Sequence, residues 1–149
     1  MEGWSKLGDS CFNYFSNTTP LVWVDARDAC ENVTGTPTTP YLAVPNDSEE
    51  LELIHSYAPS QAFWVGVTKF ESDGVFIDIN TGNEMLFNGL PITDDIFPWV
   101  YNFYPLSSPG LDCLGFSEVI NAQGSTFGFM NDFCNSTDVR FHYVCEYNL

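Results

Sequence analysis

Ala62-Phe63-Trp64-Val65-Gly66-Val67-Thr68 is the stretch that decides the architecture, a run apolar enough to be a strand buried on both faces. Past Asp73-Gly74, residues 75–79 read as another strand, turned by Asn80-Thr81-Gly82-Asn83. Three more strands are expected at 112–119, 127–130 and 141–147. Upstream the pattern is helical. Pro45-Asn46-Asp47-Ser48-Glu49-Glu50 sets acidic groups at a helix N-terminus, where the dipole favours them, with Leu51, Ile54 and Ala58 as the buried face. Earlier, Thr19 and Pro20 read as a cap and a first-turn proline opening a helix through LVWVDARDACENV. Trp23, Ala26, Cys30 and Val33 share one face of it, and residues 10–15 form a short alternating strand before it. Two early helices followed by a run of strands predict an α+β domain.

The chain has 149 residues, 44% hydrophobic and 16% aromatic, which suits one domain over 1–149. Four Lys+Arg against twenty Asp+Glu leave a formal charge of −16, which repels phosphate backbones and disfavours nucleic acid and anionic membranes as partners. No apolar run approaches the roughly 18 residues of a membrane helix, so membrane insertion is not expected. Met1-Glu2-Gly3-Trp4 is not a signal peptide; a secreted protein would have lost its targeting segment or had it replaced, and the Leu149 ending fits a trimmed domain. Cys11, Cys30, Cys113, Cys134 and Cys145 are dispersed, with no C-x-x-C pair, so zinc-knuckle and thioredoxin spacings are absent. Sequons begin at Asn17, Asn32, Asn46 and Asn135. With dispersed cysteines and few lysines, they favour a secreted or extracellular, disulfide-bonded protein.

Residues 84–112 carry Pro91, Pro98, Pro105 and Pro109 and read as a long irregular segment, the usual form of a binding loop. Trp99, Tyr101, Phe103 and Tyr104 crowd four aromatic rings into it, suited to stacking on a sugar or anchoring a protein, or to core packing. Asp94-Asp95 could bind cations or form a solvated turn, and Glu49, Glu50 and Glu52 read as the wet face of the second helix. Nothing supports an enzyme: there is no H-E-x-x-H, no G-x-S-x-G and no phosphate-cradling glycine loop. His55 and His142 lack ligand spacing and read as packing or surface groups.

GW-x-x-x-GDSCF, W-x-x-AR-x-AC, WVGV, DC, MNDFC and YVCE, in that order from Gly3 to Tyr147, resemble the C-type lectin-like domain. That resemblance implies two helices with antiparallel sheets, a long binding loop and two disulfides, Cys30 with Cys145 and Cys113 with Cys134. The chain-entropy model gives the longer loop roughly 4–5 kcal/mol and the shorter about 3. Cys11 matches a cysteine that longer members pair with one upstream of the G-W, so it is expected unpaired here. A cis bond is implied between Tyr104 and Pro105.

Calcium-dependent members hold the ion with clustered oxygens, as Ca²⁺ requires. At the principal site, the matching loop triplet reads Tyr104-Pro105-Leu106, and the glutamate before the Asp-Cys pair reads Leu111. Only Asn131 and Asp132 remain. At the auxiliary site Asp73 and Asp112 remain, Ser107 replaces an acid, and Lys69 stands where an aspartate would coordinate. An ammonium there opposes a divalent cation directly. Neither a metal nor another cofactor is therefore expected. The structural alternative for Asn131, Asp132 and Asp112 is loop bracing through backbone hydrogen bonds.

The expectation is a non-enzymatic extracellular recognition module that binds a protein or other ligand through its long loop without calcium. Its candidate ligand-binding residues are Tyr101, Phe103, Tyr104, Asp94, Asp95, Asn131 and Asp132. The alternative is a carbohydrate-binding lectin holding glycan by aromatics and non-standard polar contacts. The charge leaves adsorption to mineral or a cationic surface as a lesser possibility.

Overall fold

The computed structural model describes residues 3–15, 19–69, 75–92, 110–122 and 124–149. The elements run β1 (Ser5–Leu7), β2 (Ser10–Asn13), α1 (Trp23–Glu31), β3 (Tyr41–Leu42), α2 (Ser48–Tyr57), β4 (Phe63–Lys69), β5 (Phe76–Asp78), β6 (Leu86–Phe87), β7 (Leu90–Pro91), β8 (Cys113–Asn121), β9 (Gly124–Asp132) and β10 (Cys145–Asn148). One antiparallel sheet has the order β1-β2-β10-β3 and a second the order β5-β4-β8-β9; β6 and β7 form a small ladder of their own. The α+β architecture is the one the sequence pattern implies.

β4 joins the layers, because both of its faces are buried. Phe63, Val65 and Val67 pack with Leu51 and Ile54 of α2 and with Phe116 and Phe129 of the second sheet. Trp64 packs on the other side with Trp23, Ala26 and Cys30 of α1. Each indole finds a carbonyl across this junction: Trp23 Nε1 donates to Val65 at 2.7 Å and Trp64 Nε1 donates to Leu21 at 2.8 Å. Gly66 is fixed by close approach. A Cβ there would overlap the carbonyl oxygen of Leu42, while its own N–H donates to Ala43 at 2.8 Å. A side chain at 66 would force β3 away from β4.

The first helix starts later than the Thr19-Pro20 signal suggests. Leu21 exchanges both backbone hydrogen bonds with Phe141, each 3.0 Å, which holds residue 21 extended. Val22 is then the N-cap, without a side-chain cap, and Val33 lies beyond the end at Glu31. The second helix follows its signal closely. Asp47 accepts from the Glu50 N–H at 2.9 Å and the Glu50 carboxylate accepts from the Asn46 N–H at 2.7 Å, a reciprocal cap. Glu50 is therefore half-buried rather than on the wet face, and burial raises its pKa above the usual carboxylate value. Ala58 is the C-cap.

The strand expected over 141–147 is regular only from Cys145, since Phe141 and His142 make single bridges to Leu21 and Phe63 instead. Cys30 pairs with Cys145 across 115 residues and Cys113 with Cys134 across 21, as the resemblance implies. Cys11 is a free, buried thiol. No helix among the described residues is long and apolar enough to cross a membrane.

One charged group lies deep in the first sheet. Glu146 is buried, accepting from Ser10 Oγ at 2.8 Å and from the Val44 N–H at 3.0 Å. Burial pushes its pKa up to about 7, against the opposing pull of those two hydrogen bonds.

Candidate functional site

The candidate face is built where β8 begins and β9 ends. Cys113 sits opposite Asp132 and Leu114 opposite Asn131 in this ladder, and the Cys113–Cys134 disulfide ties the two strand ends together. The long loop re-enters the described residues at Gly110, directly beside this staple. Tyr101, Phe103, Tyr104, Asp94 and Asp95 lie outside the described residues, as do Trp99, the Tyr104–Pro105 bond, Asp73 and Ser107.

The described residues at the loop base make mostly internal contacts. Leu111 is buried. Asn131 is buried too, with its amide nitrogen 3.4 Å from the Leu111 carbonyl. Asp132 is half-buried, and one of its carboxylate oxygens accepts from the Phe133 N–H at 2.8 Å. Asp112 lies on the other side of the staple. Its carbonyl accepts from the Lys69 N–H at 2.6 Å and from Thr68 Oγ1 at 3.0 Å. Its carboxylate faces the Lys69 ammonium at 3.4 Å, with the lysine side chain 5% exposed and the aspartate 38%. One sheet end thus brings together Asn131, Asp132, Asp112 and Lys69, three of them hydrogen-bonding backbone groups through their side chains or carbonyl.

Among the described residues, no group of three or more His, Cys, Asp or Glu side chains converges into a metal site. His55 faces Glu118 at 3.4 Å, and His142 Nδ1 lies 3.0 Å from the Tyr14 hydroxyl.

A shallow depression of about 490 Å³ adjoins this face, lined by Gly110, Asp112, Phe133, Cys134, Asn135 and Ser136. Phe133, Asn135 and Ser136 were not candidates from sequence. Nothing in the sequence singles out Phe133 within M-N-D-F-C; the fold places it 48% exposed.

No family model matches the chain. A tetranectin-like protein from Carcharhinus perezii is 31% identical over 111 residues, covering 71% of this chain and 55% of the relative. The chain spans between 35% and 55% of the length of the curated relatives it matches. The carbohydrate-recognition domain of cow CD23, solved in the presence of a GlcNAc2Man3 oligosaccharide, superposes with a TM-score of 0.67 at 19% identity, covering 100% of this chain and 95% of that one. A calcium-independent type II antifreeze protein superposes with a TM-score of 0.68 at 17% identity, covering 99% and 93%. The fold is that of the C-type lectin-like domain. A carbohydrate-recognition domain is among its structural neighbours, and the two disulfides point to an extracellular or secreted setting.

Proposed function

We propose that this chain is a non-enzymatic extracellular recognition module whose loop face around 91–111 binds a protein or other non-sugar ligand without calcium. The observation that carries the reading is the Lys69–Asp112 pair. The ammonium occupies the neighbourhood in which calcium-dependent members gather acids, and it faces the retained Asp112 at 3.4 Å. Leu111 adds to this, being buried and apolar where those members offer a glutamate. The antifreeze neighbour, calcium-independent by its own description, has the same fold.

The second reading, a lectin using non-standard contacts, draws on the aromatic run Tyr101, Phe103 and Tyr104 and on the CD23 neighbour solved in the presence of an oligosaccharide. Asp94 and Asp95 would flank the ligand in either case, with Asn131 and Asp132 shaping the loop base.

A glycan array run with calcium and with EDTA separates the two. The first reading expects no sugar signal under either condition; calcium-independent sugar binding selects the second, and calcium-dependent binding defeats both. Once a ligand is in hand, alanine at Tyr101, Phe103 or Tyr104 should weaken binding by about 1 kcal/mol or more while leaving stability nearly unchanged.

A further inference from the structure

Four sequons are present, and the fold distinguishes among them. Asn17 lies outside the described residues. Asn32 caps α1 and its side-chain amide donates to the Asp28 carbonyl at 2.8 Å. Asn46 donates its amide to the Val44 carbonyl at 3.2 Å, beside the Asp47 carboxylate that caps α2. Asn135 is exposed like those two, but unlike them its side chain makes no hydrogen bond among the described residues. Thr137, the hydroxyl residue of the sequon, is exposed as well.

Two residues before Asn135 stands Phe133. The two share the lining of the depression at the end of β9. Its backbone is pinned by the Asp132 carboxylate, which accepts the Phe133 N–H at 2.8 Å. The ring is braced on one side by Gly110, where a Cβ would come within 3.2 Å of ring carbon Cε1. Even so braced, it remains 48% exposed. An aromatic ring held against backbone, open to water and two residues from a free acceptor amide, offers a platform for the apolar face of a pyranose.

We propose that Asn135 is an N-glycosylation site and that the first N-acetylglucosamine of its glycan packs on the Phe133 ring, filling the depression between Phe133, Gly110 and Ser136. The donor is a lipid-linked oligosaccharide diphosphate, handled by an oligosaccharyltransferase. The Asn135 amide nitrogen forms a bond to C1 of the reducing-end N-acetylglucosamine. The bond from C1 to the phosphate oxygen breaks, the lipid diphosphate leaves with the electron pair, and the amide gives up one proton. The volume of about 490 Å³ lies in the range of clefts that hold small molecules, enough for one sugar ring. The contact removes from water an exposed aromatic that nothing else among the described residues covers. It also takes this depression out of contention as a ligand site.

The inference rests on an extracellular setting but not on the ligand reading, so its test uses no ligand. The full chain is secreted from insect cells behind a cleavable signal peptide, and glycopeptides are mapped before and after enzymatic deglycosylation. Asn135 is expected to be occupied in most molecules, and Asn135→Gln and Thr137→Ala each to remove that one glycan. The glycosylated protein should melt about 2–4 °C above its deglycosylated form. Phe133→Ala should abolish that gap, and Phe133→Tyr should retain it, since a phenol keeps the ring face. Secreted, folded chain with Asn135 bare overturns the site. An unchanged melting gap in Phe133→Ala overturns the stacking contact.

Discussion

Lys69 and Asp112 face each other where β4 ends and β8 begins: the ammonium lies 3.4 Å from the carboxylate oxygen, on a lysine whose side chain is 5% exposed. A divalent ion arriving here meets a positive charge already matched to the acid it would need. Calcium should therefore have little effect on stability. A specific site filled at a hundred times its dissociation constant would stabilise the fold by about 2.7 kcal/mol. For a chain of this length that is a melting shift of roughly 5–10 °C. The expected difference between millimolar calcium and EDTA is less than about 2 °C in thermal denaturation at physiological salt. A shift in the larger range would return the loop base to the calcium-binding members.

Glu146 gives the protein an unusual dependence on pH. Its pKa in the fold, pushed up to about 7, exceeds the ordinary value of 4.5, so folding favours the protonated form. The stability this group contributes is fully present below about pH 4.5, declines as pH rises toward 7 and is gone above it. The span is worth on the order of 3 kcal/mol. Urea denaturation from pH 4.5 to 8 should reveal this decline as a difference from the Glu146→Gln variant, whose neutral amide can still accept the Val44 N–H. Parallel profiles for the two proteins would remove Glu146 as the cause.

Gly66→Ala tests the junction of the sheets. The added methyl would meet a main-chain oxygen, that of Leu42, which cannot swing aside as a side chain can. A loss of about 3 kcal/mol or more is expected, a fall in melting temperature of roughly 6–12 °C. Gly82→Ala is the control for positive backbone angles, with φ at 73° and open space around it. It should cost about 1 kcal/mol. Equal effects at the two positions would mean that β3 yields to the added methyl and that close approach does not fix residue 66.

Local patterns were legible where local forces decide. The buried run at 62–68 and the Asp47 cap each carry their reason within a few residues, and β4 and α2 lie within a residue or two of where those signals put them. The start of α1 was not legible, because the Thr19-Pro20 signal is overruled by Leu21 pairing with Phe141, 120 positions away in the chain. Tyr41–Leu42 is too short for any period to register and exists as a strand through its partner β10. Glu146 looks like a surface acid in sequence; its burial follows from pairing between Phe12 and Tyr41 in the sheet. At the site, the expected loss of calcium ligands rests on residue identities alone, whereas the exposure of Phe133 depends on how Gly110 and the disulfide set the chain.

The order β1-β2-β10-β3 has a consequence for biosynthesis. β10 is made long after the two strands it lies between, which come from the first third of this sequence. β2 and β3 therefore have no hydrogen-bonded neighbour on their inner edges until Cys145–Asn148 leaves the ribosome. Nascent chains must carry those open edges, and an unpaired Cys30, until β10 emerges, a period in which edge pairing with other chains is the hazard. Closure of this sheet is a late step: the sheet closes and the long disulfide forms together, after β10 arrives.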